Sequence, residues 1–160
     1  MSDNATPEFM VYAARRYMEY IDERRKKKDY MREEVDRLRD DLTGLKGVTY
    51  SDMPGSPNAY GDAIPDGLAR LHDAIASYAS ELDAWVDESI EAHHAIWSIK
   101  DGRYATLLDG RYVLGKSWEQ IAVDMNYSYE YVRKELHEQA LICLYQVMPE
   151  IWRRDFPNAL

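Results

Sequence analysis

Apolar residues in the first forty positions fall at alternating steps of four and three: Met10, Ala14, Tyr17, Ile21, then Met31, Val35, Leu38 and Leu42, with Arg24 and Lys28 holding the two intervening places. That spacing is the heptad repeat of a coiled-coil seam, because two helices that supercoil present one face to each other every 3.5 residues. The same alternation returns at Leu68, Leu71, Ile75, Tyr78, Leu82, Trp85, Ser89, Ala92, Ile96 and Ile99. The segment from Gly44 to Pro65 separates the stripes, holds Gly44, Gly47, Gly55, Gly61, Pro54, Pro57 and Pro65, and predicts an irregular connection. The stripes would serve a hairpin within one chain or a coil between two chains; about 22 residues of linker, ample for reversal, favour the hairpin. At 1.5 Å per residue such a coil is roughly 50 Å long.

Apolar spacing and cap residues place the helices at Pro7 to Thr43, Asp66 to Lys100, Arg103 to Leu114, Ser117 to Met125 and Ser128 to Val147. No strand-like alternation of useful length occurs. The expected fold class is all-α: a long antiparallel, coiled-coil-like helical hairpin over 1–100 with its linker at 44–65, a small three-helix bundle over 101–148, and an aromatic and basic tail over 149–160. Asp101-Gly102 marks the break between them, and Gly115 stands where a helix-terminating glycine belongs.

The densest signal lies in residues 117–147. Ser117 with Gln120 three residues on reads as a capping box, Ser128 reads as a second N-cap, and only three residues remain between a short apolar-striped segment and a long amphipathic run from Tyr129 to Val147. Ile121, Ala122 and Met125 form the expected buried stripe of the first segment, continued by Val132, Leu136, Ala140 and Leu144 on the second. The small Ala122 suits helices that cross steeply at close range. This is the pattern of a helix-turn-helix, whose second helix commonly lies in a DNA major groove.

From Leu107 to Leu144 the chain, with its string Leu108-Asp109-Gly110-Arg111-Tyr112-Val113-Leu114-Gly115-Lys116-Ser117-Trp118, resembles region 4 of bacterial sigma factors. It is more similar still to the sigma-like regulators encoded by phages and prophages of Gram-positive bacteria. In that family a helical N-terminal half precedes the motif, joined through a stretch similar to Tyr50-Ser51-Asp52-Met53-Pro54-Gly55-Ser56. The resemblance implies DNA contacts at the positions after Ser128, here Tyr129, Tyr131, Arg133 and Lys134, and the two tyrosines depart from the polar residues common there. Nothing in the chain resembles the region that melts promoter DNA, which argues against a self-sufficient sigma factor.

Charge changes this picture. The net charge is −9, unevenly spread: residues 1–45 carry ten basic and eleven acidic side chains, 46–101 three and ten, and 102–160 seven and eight. Affinity for DNA comes largely from neutralising phosphates, so a near-neutral motif binds weakly as an isolated monomer. A second copy or RNA polymerase would supply the remainder. The exposed positions expected near the start of the second helix are Tyr129, Glu130, Tyr131, Arg133, Lys134 and His137. With Ser128, Lys116 and Ser117 they form the expected DNA-binding set, in which Arg133 and Lys134 are the long donors that reach base edges and phosphates.

Other candidate chemistry has simpler readings. Arg24-Arg25-Lys26-Lys27-Lys28 is flanked by Asp22, Glu23, Asp29, Glu33 and Glu34, as on a solvated helix face, while Arg24 and Lys28 are placed to meet Asp83, Asp87 or Glu88 across the hairpin. Glu91-Ala92-His93-His94 carries the Glu-x-x-His spacing of carboxylate-bridged metal sites, which need a second copy that the chain lacks. The pairs Glu33/Asp36 and Glu88/Glu91 loosely resemble magnesium-binding carboxylates of all-helical nucleotide pyrophosphatases, in reversed order. No glycine-rich phosphate loop, nucleophile elbow or zinc spacing occurs, so neither a catalytic set nor a cofactor is expected. His72 and His137 read as surface or edge residues, and lone Cys143 as a small buried thiol. Trp97 and Trp118 are expected at the junction of coil and bundle, near Tyr104 and Tyr112. Trp152 and Phe156 are expected to dock back or to bind a partner.

No segment has the roughly 18 uninterrupted apolar residues of a membrane span, and the first residues lack a signal-peptide pattern, so a soluble cytoplasmic protein without membrane contact is expected. The reading reached is a DNA-binding transcription regulator of phage or prophage origin, not an enzyme. Its partners would be double-stranded DNA, RNA polymerase and a second copy of itself. Two rivals stand beside it: an adaptor that grips polymerase or another phage protein without touching DNA, and a small DNA-packaging (terminase) subunit, which a ring-shaped oligomer would favour.

Overall fold

A computed structural model describes residues 5–46 and 63–154. Residues 47–62, which hold most of the expected linker including Tyr50 to Ser56, lie outside the described residues, as do Asp155, Phe156 and Pro157 of the tail. Every element among the described residues is a helix, and none of these helices is long and apolar enough to cross a membrane.

Helix α1 spans Pro7–Lys46 and α2 spans Ala63–Trp97. The hydroxyl of Thr6 accepts from the Phe9 amide at 3.3 Å, and Pro7 takes the first helical place, where its missing N–H costs nothing. Pro65 is tolerated in the first turn of α2 for the same reason. The two helices pack against each other, and the described residues group into two compact units: one within Met1–Arg25 and Val86–Leu160, the other Lys26–Trp85. These units are drawn differently from the expected domains 1–100, 101–148 and 149–160, because each long helix contributes to both.

Within the second unit the helices run antiparallel. Lys27 meets Glu81 at 2.9 Å, the Lys28 ammonium lies 5.5 Å from the centre of the Trp85 ring, and Leu42 fills the space over Gly67, where an added Cβ would come within 2.6 Å of it. The α1 seam is as expected: Lys28, Met31, Val35, Leu38 and Leu42 are all half-buried. The α2 stripe holds at Leu71, Tyr78, Leu82, Trp85, Ser89, Ala92, Ile96 and Ile99, all buried or half-buried, and is corrected at two positions. Ile75 and Leu68 are 47% and 52% exposed, and the inward row is Gly67, Leu71, Ala74, Tyr78, Glu81 and Trp85. Both rows share Leu71, Tyr78 and Trp85; the helix is turned so that Glu81 reaches Lys27 and small Gly67 receives Leu42.

The first unit holds the main core. Ala14, Tyr17, Met18 and Ile21 of α1, Ala92 and Ile96 of α2, and Leu107, Leu108, Val132, Leu136, Leu141, Leu144 and Met148 are buried. Helix α3 spans Gly102–Leu108, capped by Asp101, whose carboxylate accepts from the Arg103 amide at 2.9 Å; the Arg103 side chain and that amide bond hold the carboxyl below its usual range. The helix widens into a π-helical turn, Asp109–Val113, and stops at Gly115 with φ 71°. Then come α4 (Trp118–Met125), α5 (Tyr129–Tyr131), a second π-helical turn (Val132–Leu136), α6 (His137–Val147) and α7 (Glu150–Arg153). The expected helices 103–114 and 128–147 are therefore both present, each with one wider turn inside.

Arg24 meets Glu88 at 2.8 Å, one of the three partners expected for it, and the Tyr20 hydroxyl donates to the same carboxylate at 2.8 Å. Trp152 docks back, its ring 5.2 Å from Tyr17 and 5.1 Å from Tyr20. Trp97 does not fill a junction: it is 49% exposed, and Ile96 and Ile99 take the buried places beside it. Cys143 is half-buried, and burial raises its thiol above the ordinary range.

Candidate nucleic-acid interface

The turn between α4 and α5 is held from three sides. Ser117, in extended conformation, accepts the Gln120 amide on its hydroxyl at 3.2 Å, and the Gln120 side chain returns to the Ser117 amide at 2.9 Å, completing the expected capping box. Asn126 closes α4 in the left-handed region, φ 56° and ψ 45°, so that the Tyr127 amide reaches back to the Ala122 carbonyl at 3.0 Å. Asn is one of the few side chains that tolerates this conformation. Ser128 then caps α5, accepting the Tyr131 amide at 3.3 Å. Ile121 and Ala122 are buried and Met125 half-buried, and Val132, Leu136, Ala140 and Leu144 are buried opposite, as the stripe implies.

The expected DNA-binding residues other than His137 divide into three groups. Ser117 and Ser128 spend their hydroxyls on the caps, and the Lys116 ammonium is held by Asp124 at 2.8 Å. Tyr129 and Tyr131 are half-buried, the Tyr131 ring 5.3 Å from Tyr127 and the Tyr129 ring beneath the Arg133 guanidinium at 5.9 Å. Arg133 and Lys134 are exposed, with Lys134 meeting Glu130 one turn earlier at 2.6 Å; that pairing lowers the Glu130 carboxyl below its usual range.

His137 is a correction: it is 5% exposed, not a surface residue. It follows the π-helical turn and lies inward beside Leu136, on the buried face that Leu141 and Leu144 continue. Its Nε2 lies 2.9 Å from the Tyr112 hydroxyl, and the Trp118 ring packs on it at 4.8 Å. Burial first, then the positive charges of Arg15 and Arg111, lower the imidazole to about 4, so it is neutral at pH 7; burial raises Tyr112 to about 12.

Beside this pair a polar cavity of about 440 Å³ is lined by Arg15, Glu19 and Asp22 of α1, Arg111, Tyr112 and Trp118, and Arg133, Lys134, His137 and Glu138. Arg111 donates to the Lys116 carbonyl at 3.0 Å and stacks over Trp118 at 5.0 Å. Arg15 had no signal in the sequence, because its place depends on how α1 packs on the bundle. Arg111 lay within the stretch that carries the sigma-like resemblance and was legible there only as part of it.

A second, more apolar depression opens at the turn, lined by Glu119, Ala122, Val123, Asn126, Tyr127 and Tyr129, with Val123 79% exposed. Elsewhere, His93 Nδ1 lies 3.0 Å from the buried carboxylate of Asp109. Among the described residues no three His, Cys, Asp or Glu side chains gather as metal ligands would. Comparison of the chain with protein-family models, with curated proteins and with solved structures finds no match.

Proposed function

We propose that this chain is a DNA-binding transcription regulator, sigma region 4-like and of phage or prophage origin, which recognises promoter DNA through the helix that begins at Ser128. The observation that carries the reading is the turn itself: a left-handed Asn126 between a capping box at Ser117 and a second cap at Ser128 sets α4 and the α5–α6 helix as a compact pair. The leading turns of the second helix keep Arg133 and Lys134 at the surface. A B-DNA major groove about 12 Å wide admits one helix, and Arg can meet guanine bidentately there.

The near-neutral motif needs help to bind tightly. Self-association through apolar residues that α2 leaves exposed, Val86, Ile90 and Trp97, would present two such helices to half-sites about one DNA turn apart; contact with RNA polymerase would serve the same end. The depression around Val123 favours a second reading, an adaptor that binds a protein there and no DNA. Selection of fragments from random or phage genomic DNA by the full chain separates them. Enrichment of a discrete sequence is expected; no enrichment, with polymerase retained by the chain, would favour the adaptor.

A further inference from the structure

We propose that the polar cavity beside the recognition helix is a phosphate-binding site completed by Arg15 and Arg111, two residues outside the helix-turn-helix. Taking the phosphate from the DNA backbone rests on the function proposed above. Three separate elements bring cations to the cavity: Arg15 from α1, Arg111 from the first π-helical turn, and Arg133 with Lys134 from the second.

Four cations of the lining face three carboxylates, Glu19, Asp22 and Glu138. Among the described residues neither Arg15, Arg111 nor Arg133 is in an ion pair, while the Asp22 carboxylate is held by Arg25 at 2.6 Å and Glu19 lies 4.0 Å from Arg16. The floor adds no negative charge, since Tyr112 is a neutral phenol and His137 a neutral imidazole at pH 7. The positive field of Arg15 and Arg111 is felt at His137 itself, where it opposes protonation.

Guanidinium groups match phosphate oxygens in a planar fork, and contacts to backbone phosphate set register and orientation without reading sequence. A phosphate held here would lie next to Arg133 and Lys134, and would anchor the helix that carries them against one strand. That supplies part of the affinity which the charge balance of the motif alone does not.

Arg15 is exposed, so Arg15→Ala should leave the fold intact, which a thermal melt checks; Arg15→Lys keeps the charge. Affinity of the full chain for a selected duplex and for a random duplex is measured across a salt series. In parallel, the Nε–Hε signals of Arg15 and Arg111 in ¹⁵N-labelled protein are followed during titration with pyrophosphate. Arg15→Ala is expected to weaken both duplexes by a similar factor and to reduce the salt slope by about one, while Arg15→Lys keeps the slope of the parent and falls between the two in affinity, because it keeps the charge and loses the fork. Pyrophosphate is expected to shift both signals.

If the parent binds DNA but Arg15→Ala changes neither affinity nor slope, and pyrophosphate moves nothing, the phosphate site is overturned and the DNA reading stands. If pyrophosphate shifts the signals in a chain that binds no DNA, or whose DNA affinity ignores Arg15, the site stands with a free phosphorylated compound as its ligand. Response to neither pyrophosphate nor DNA overturns both.

Discussion

The Tyr112 hydroxyl and His137 Nε2, 2.9 Å apart, join the first π-helical turn of the C-terminal bundle to the start of α6. The imidazole is neutral at pH 7, and the Arg133 backbone acts on it in the opposite sense to burial, favouring its proton. One buried polar pair thus ties the stretch before α4 to the helix that begins at Ser128, directly behind Arg133 and Lys134.

That pair makes stability depend on pH. His137 is lowered in the folded chain from 6.5 to about 4, so between those values the unfolded chain binds the extra proton. Its contribution is complete above about pH 6.5 and is lost as pH falls towards 4, on the order of 2–3 kcal/mol at most. Denaturant melts of the parent and His137→Gln across pH 4–7 check this. The variant should lose part of the parent's slope, and identical slopes would mean that His137 does not titrate in this way.

The corrected phase of α2 changes which substitutions matter. Trp85 is 8% exposed and Ile75 47% exposed. Trp85→Asp should therefore cost several kcal/mol by burying a charge and emptying the site of the ring, whereas Ile75→Asp should cost well under about 1 kcal/mol. Thermal melts of the two variants test it, and equal losses would restore the sequence-based seam.

The turn has its own signature. Asn126→Gly should be nearly neutral, because glycine occupies φ 56° freely, while Asn126→Val should cost roughly 1–2 kcal/mol in the same place. Ser117→Ala should cost about 1 kcal/mol by removing the cap. Denaturant melts of the three variants give these differences. A chain in which Val is accepted at 126 as readily as Gly would not hold this turn.

Much of the architecture was legible because periodicity reports burial directly. All ten positions of the α1 stripe, Met10 to Leu42, are buried or half-buried, and both serine caps stand where their side-chain chemistry places them. Eight of the ten positions of the α2 stripe are likewise buried or half-buried; the exceptions are Leu68 and Ile75, where the pattern favours leucine and isoleucine over the flank with Gly67, Ala74 and Glu81. Only tertiary pairing with Lys27 and Leu42 chooses between them. His137 departs from its expected surface place because it falls on the buried row of Leu141, Leu144 and Met148, where a polar ring gives no apolar signal of its own. The cavity was illegible for a different reason, since Arg15 is nearly a hundred residues from Arg111 and neither carries a pattern of its own.

The most direct test of recognition through the helix at Ser128 is the affinity of Arg133→Ala/Lys134→Ala for a selected DNA fragment at fixed salt, with the melting temperature measured beside it. Both side chains are exposed, and the Lys134–Glu130 pair is a surface ion pair of little worth to the fold, so helicity and melting should stay as in the parent. Binding should weaken by roughly 1–3 kcal/mol per base contact, with a shallower salt dependence. Unchanged affinity in a normally folded double variant would contradict that recognition and shift the function to a protein partner.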